Sequence, residues 1–168
     1  MKTSPRSSAE PGNREGMVIF VVAGHKFLIA ASAVKEIRGA EGLSPFTMAG
    51  VSRRLEKLQY TFERHGTTYF VVDAGIHFGL AAASRSRLLV LRNAPIAILA
   101  DTTDRMVEIS AIHALPDAFS HEEREWYRGL AVLNDELAPV VNPDAFLSKL
   151  EQEVLRDELE RLRGAAAL

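Results

Sequence analysis

Seven short apolar runs, each of strand length, limit what this chain can become: Val18–Val22, Phe27–Ala30, Tyr69–Val72, Leu88–Leu91, Ile96–Ala100, Leu130–Leu133 and Leu137–Val141. Several are rich in β-branched or aromatic residues, which suit a pleated surface. Turn-forming residues separate them: Gly24-His25, His65-Gly66, Asn93-Ala94-Pro95, Asp101 to Asp104, and Asn134-Asp135. Many short strands with tight connections predict a mainly β protein of antiparallel barrels or sandwiches.

The strands repeat. Val34-Lys35-Glu36-Ile37 closes a strand-turn-strand stretch that begins near Val18, and Met106-Val107-Glu108-Ile109 closes a similar stretch that begins near Leu88. Val71-Val72-Asp73 follows the turn at Gly66, and Val140-Val141-Asn142 follows the turn at Asp135. Each is followed shortly by an aromatic, Phe78 or Phe146. A half of about 65 residues buries too little surface to stand alone. Two small barrels side by side, sharing a core and leaving a groove along their seam, are therefore expected.

Only the end of the chain reads as a helix, over 143–164. Asn142 can cap it, Pro143 suits its first position and Asp144 favours the positive end of its dipole. Phe146, Leu147, Leu150 and Val154 form one stripe, expected to pack on the barrels. Leu155, Leu159 and Leu162 form a second stripe that is either further core or a partner surface, with core favoured. A weaker helical turn is expected around Ser52 to Lys57. Residues 1–16, with Pro5, Pro11, Gly12 and Gly16, read as a flexible arm with little apolar surface to offset the entropy of ordering.

Composition removes several functions. Twenty Lys and Arg against 22 Asp and Glu leave a formal charge of −2, without the basic excess of nucleic-acid binding. There is no cysteine, hence no disulfide, thiolate metal site or thiol nucleophile. No apolar run approaches a membrane span, and no secretory leader is visible, so a soluble cytoplasmic protein is expected.

Catalytic constellations are equally absent. Neither phosphate-loop glycine pattern occurs, nor a nucleophile elbow, nor a paired-histidine metal motif. The histidines at 25, 65, 77, 113 and 121 are scattered and read as surface residues. Asp73, Asp101 and Asp104 invite a paired-carboxylate reading, but at strand ends their better role is to accept local backbone N–H groups. Ser84-Arg85-Ser86-Arg87 reads as a solvated loop, and His121-Glu122-Glu123-Arg124-Glu125 as an exposed helical turn. Trp126 and Tyr127 suit an interface or a strand-edge core equally well. No enzyme, metal or cofactor is expected.

Taken together, Met17 to Phe27 with Ala33-Val34-Lys35-Glu36-Ile37-Arg38-Gly39 resembles the opening of CheW-like chemotaxis coupling proteins. The resemblance continues through Tyr69 to Asp73, Phe78-Gly79-Leu80, Leu88 to Leu91, Ala97 to Asp101, Val107-Glu108-Ile109, Tyr127 to Leu133 and Val140 to Asn142, so it covers about 17–150. It implies two five-stranded SH3-like barrels, about 17–80 and 86–142, followed by the C-terminal helix. It further implies a non-enzymatic adaptor, without cofactor, joining the cytoplasmic tips of methyl-accepting chemoreceptors to the regulatory domain of a CheA-type histidine kinase.

By the same resemblance, partner binding falls to Val34, Glu36, Ile37, Arg38, His65, Gly66 and Leu99. Val34 and Ile37 are expected as apolar anchors, Glu36 and Arg38 as electrostatic register, and a charge at Val34 is expected to weaken receptor binding. One stretch departs from the family pattern. Tyr60-Thr61-Phe62-Glu63-Arg64-His65-Gly66 keeps only Gly66, and His65 stands where an arginine is usual; the loop 50–59 before it is about five residues longer. A permanently charged fork is thereby replaced by a ring mostly neutral near pH 7. The rival reading is a regulatory decoy or localisation protein that binds only one of receptor or kinase.

Overall fold

The computed structural model describes residues 14–46, 55–81 and 84–166. The arm up to residue 13, most of the expected turn at Ser52 to Lys57, and the side chain of Leu162 lie outside the described residues. The protein is mainly β. Among the described residues eleven strands run in chain order as β1 (Glu15–Val22), β2 (His25–Ala30), β3 (Val34–Gly39), β4 (Ser44–Pro45), β5 (Leu58–Arg64), β6 (Thr67–Asp73), β7 (Arg87–Leu91), β8 (Ile96–Ala100), β9 (Thr102–Ile109), β10 (Tyr127–Leu133) and β11 (Glu136–Val141). They are accompanied by the helices α1 (Ala74–Phe78), α2 (His121–Trp126) and α3 (Lys149–Ala166).

The strands form two sheets, ordered β10-β11-β2-β1-β9 and β3-β7-β8-β6-β5-β4. Reversed, the second order reads β5-β6-β8-β7-β3 with β4 outside β5. The repeat seen in the sequence equates β1-β2-β3 with β7-β8-β9 and β5-β6 with β10-β11. Each sheet therefore combines the first hairpin of one repeat with the remaining three strands of the other. The expected boundary between barrels near residues 80–86 is thus wrong as a cut in the chain. Residues 34–100 supply one sheet, and the two ends of the chain together supply the other.

Each sheet curls on itself, though neither is closed by a continuous hydrogen-bonded ladder. β3 and β4 lie at opposite edges of the six-stranded sheet yet only residues 40–43 separate them in the chain. In the five-stranded sheet β9 ends at Ile109, and His113 then bridges Leu130 of β10 at the far edge, with reciprocal backbone bonds of 2.7 and 2.9 Å. Gly129 permits this closure, because a Cβ there would lie 2.3 Å from the His113 carbonyl oxygen.

Three apolar clusters follow from this arrangement. The largest lies between the sheets and takes Val18, Phe20, Val22, Phe27 and Ile29 from one and Phe70, Val72, Leu89, Leu91, Ile96 and Ile98 from the other. The alternate residues of the same strands turn inward: Met17, Ile19, Leu28 and Ala30 into the five-stranded roll, and Tyr69, Val71, Leu88, Val90, Ala97 and Leu99 into the six-stranded roll. Strands buried on both faces read as unbroken apolar runs. Where the repeats join, β6 and β8 pair in parallel over four registers, but β11 and β2 over one, Val140 opposite Leu28. Phe70 donates its N–H to the Pro95 carbonyl at 2.8 Å; its counterpart Pro139 has none to give.

The ends of the chain differ from expectation in two places. β1 begins at Glu15, inside the stretch read as an arm, because Glu15 pairs with Ile109 and receives both guanidinium nitrogens of Arg128, at 2.9 and 3.0 Å. After Val141 the chain forms only a 3-10 turn, Pro143–Ala145, capped by Asn142, and α3 starts at Lys149 rather than residue 143. Ser148 and Glu151 make the capping box that sets this start, each accepting the other's backbone N–H at 3.1 Å. The shift re-phases the helix. Leu155 is buried and Val154 and Leu159 pack beside it, while Leu150, expected in the core stripe, is 57% exposed.

Candidate functional site

The curl of the six-stranded sheet brings β3 and β5 together although three strands separate them in the sheet order. Arg64 at the end of β5 meets Glu36 of β3, Nε to Oε2 at 2.9 Å. Two residues along β3, the Arg38 guanidinium sits 5.2 Å from the centre of the Phe62 ring and donates to the Glu41 carbonyl at 3.4 Å. A bulge between Val34 and Glu36 turns these side chains out of the phase set by Val34. Ile37, pointing the opposite way, is 41% exposed.

Next to Arg64, His65 and Gly66 form the β5–β6 turn at φ +49° and +76°, as a two-residue type I′ hairpin requires. Asn134-Asp135 turns the equivalent β10–β11 hairpin, at +50° and +63°. His65 is exposed. The Arg64 charge is matched within the protein by Glu36.

Five of the seven expected partner-binding residues, Glu36, Ile37, Arg38, His65 and Gly66, thus lie on the β3 edge and the neighbouring turn. The other two do not face a partner. Val34 is buried in the central cluster and Leu99 inside the six-stranded roll, so neither is a surface anchor, and a charge at Val34 acts first on the fold.

All three aspartates accept backbone N–H groups, Asp104 that of Arg105 at 2.7 Å. Asp73 caps α1 by accepting from the Ile76 N–H at 3.2 Å and pairs with Arg85 at 3.0 Å. Asp101 accepts the N–H groups of Ala23, Ser84 and Arg85 at 2.7, 3.2 and 3.0 Å. The Ser84 and Ser86 hydroxyls donate to its carbonyl. The exposed Ser84–Arg87 stretch is therefore pinned at its base. Trp126 and Tyr127 belong to an aromatic cluster with Phe27, Phe78 and Phe146, a strand-edge core. Burial, with Glu123 adding, pushes the Tyr127 hydroxyl up to about 12.

One polar cluster escaped the reading of the sequence. His77 is buried beneath Trp126 and Phe146, and Lys57, also buried, lies 3.1 Å from its Nδ1 and 3.1 Å from Oε2 of Glu151. Burial, and then the Lys57 charge, push His77 down to about 3. Burial lowers Lys57 too, against the opposing pull of Glu151. The ring is thus neutral and its Nδ1 accepts from the ammonium. The other four histidines are exposed, as expected. The only advance signal for the cluster was a lysine between Leu55 and Leu58. Among the described residues no group of three or more histidine, aspartate or glutamate side chains is arranged to hold a metal. No described helix is long and apolar enough to cross a membrane.

Comparison with known proteins agrees with this architecture. The scaffolding protein TtCheW from Thermoanaerobacter tengcongensis superposes with a TM-score of 0.63 at 15% identity, over 77% of this chain and 89% of that one. No curated protein sequence matches the chain. The family model of the CheW-like domain matches residues 16–151, through every strand of both sheets: the chain belongs to the CheW-like family.

Proposed function

We propose that the protein is a non-enzymatic adaptor that couples the cytoplasmic tips of chemoreceptors to the regulatory domain of a CheA-type histidine kinase. The reading rests on family membership and on one observation: the β3 edge and the β5–β6 turn bring Glu36, Arg38, His65 and Gly66 to a single rim, with Ile37 exposed on the other face of β3. On that rim the Glu36 carboxylate and the Arg38 and Arg64 guanidinium groups set register with a charged helix tip, and Ile37, exposed on the opposite face of β3, is the apolar anchor beside it. Such a protein conveys receptor state by binding, without making or breaking bonds, and its place is the cytoplasm beneath receptor arrays.

A second reading has its own support. With His65 in place of an arginine, and Arg64 neutralised by Glu36, Arg38 alone is left on the rim to meet a partner carboxylate. A protein of this kind binds only one of the two partners, as a decoy or localisation factor. Purified receptor-tip fragment and kinase, mixed with the protein, separate the two. A coupler raises the amount of kinase recovered with the receptor, whereas a decoy leaves it unchanged or lowers it. His65→Arg is expected to raise receptor affinity if the standard contact has been lost; no change in that variant would show a repurposed rim.

A further inference from the structure

The second hairpins of the two repeats differ in what they leave bare. Val132 of β10 and Leu137 of β11 stand directly opposite each other, 54% and 63% exposed. The equivalent pair in the other repeat, Glu63 of β5 and Thr68 of β6, is also directly opposed and exposed, but polar. The fold itself therefore does not require apolar residues at this position. A charge near a sheet edge discourages association. Glu63 supplies one, whereas Val132, on the edge strand β10, does not.

The surface beside Leu137 differs in the same sense. In the six-stranded half, Phe70 and Ile96 face Leu155 and Leu159 of α3. Their counterparts Pro139 and Phe27 line a cleft of about 410 Å³ together with Phe78, Tyr127 and Leu137. Among the described residues no helix follows α1 before β7 to cover it. An apolar projection and an apolar recess thus lie side by side. Lys26 and Glu136 also line the cleft; both are exposed, and among the described residues neither is ion-paired within the chain. A surface that carries both a projection and a recess, and one unpaired charge of each sign, is complementary to itself. A two-fold axis requires that property of the patch it joins.

We propose that this surface of the five-stranded sheet joins two copies of the protein about a two-fold axis. Leu137 of each copy enters the cleft of the other beside Phe27 and Tyr127, and Lys26 of each faces Glu136 of the other. The receptor rim belongs to the other sheet, and the test needs neither receptor nor kinase, so the two readings stand or fall separately.

Sedimentation velocity of the full-length chain over a range of concentrations tests the proposal. At micromolar concentration the sedimenting species is expected to pass from one copy to two. Leu137→Asp, at an exposed position, is expected to keep its strand circular dichroism and to weaken association about tenfold or more. Thr68→Asp, at the equivalent position of the other hairpin, should leave association unchanged. Lys26→Glu and Glu136→Lys should each weaken it about tenfold; combined in one chain they should restore it, because the axis sets each against the other. A chain that remains single at millimolar concentration overturns the proposal. So does a dimer that Leu137→Asp leaves intact, one that Thr68→Asp disrupts as strongly, or one that the combined charge exchange does not rescue. Should Leu137→Asp lose its fold, the charge exchange alone decides.

Discussion

Acid should loosen this protein through one residue, His77. Free histidine titrates near 6.5, whereas His77 is held down to about 3 by burial and by the Lys57 ammonium. As pH falls below 6.5 the unfolded chain takes a proton at this position that the folded chain refuses. The contribution is therefore fully present above 6.5 and is lost progressively down to about 3. At about 1.4 kcal/mol per pH unit, the loss is about 2.5 kcal/mol by pH 4.5 and between 4 and 5 kcal/mol in the limit. Against a total of about 5–15 kcal/mol for an ordinary domain, this is a large share. Urea unfolding followed by circular dichroism, at pH 7 and pH 4.5, measures it. Carboxylates elsewhere contribute in the same window, so the comparison is with His77→Phe, which keeps a ring against Trp126 and Phe146 but cannot titrate. Wild type should lose about 2.5 kcal/mol more than the variant between the two pH values. Equal losses would refute the burial argument. Lys57 acts in the same sense, since its lowered value favours the folded state as pH rises.

Three further outcomes are expected. Gly129→Ala drives a methyl group into the His113 carbonyl; it should cost about 1–3 kcal/mol and lower the melting temperature, and an unchanged melting curve would contradict the barrel closure at His113–Leu130. Asp101→Ala leaves three backbone N–H groups without their carboxylate and should cost about 3 kcal/mol or more, measured by denaturant unfolding. Val34→Asp and Ile37→Asp should part ways: the first loses stability because its side chain is buried, while the second stays folded and binds a receptor-tip fragment about tenfold more weakly. If Ile37→Asp binds normally, the rim is not the receptor site.

Five of the seven strands that announced themselves in the sequence are buried on both faces. β1, β2, β6, β7 and β8 feed the central cluster with one set of residues and an inner roll with the other, so hydrophobicity leaves no gap. β5 and β9 were harder. In β5 a bulge sends Leu58 into the central cluster and Phe62 into the inner roll while Glu63 is exposed; β9 buries only Ile109 along its length, and its opening Asp101–Asp104 read as a turn. The repeat was legible, but not the exchange of hairpins, because local pattern carries no information about which copy a strand will pair with. At the rim, the residue types were readable and their exposure was not: the bulge after Val34 reverses the facing of everything beyond it. Lys57 and Glu151 lie 94 positions apart, and only the docked helix makes them neighbours.

The interleaving of the two repeats also sets an order of events at the ribosome. Residues 34–100 contain every strand of the six-stranded sheet, so that half can assemble as soon as β8 has emerged. β1 and β2 are made first yet find their partners last, since β9, β10 and β11 end at Val141. At about 5–20 residues per second, this greasy N-terminal hairpin waits roughly 6–20 seconds for them. During that interval it is the nascent chain's most vulnerable segment and the natural client for a holding chaperone.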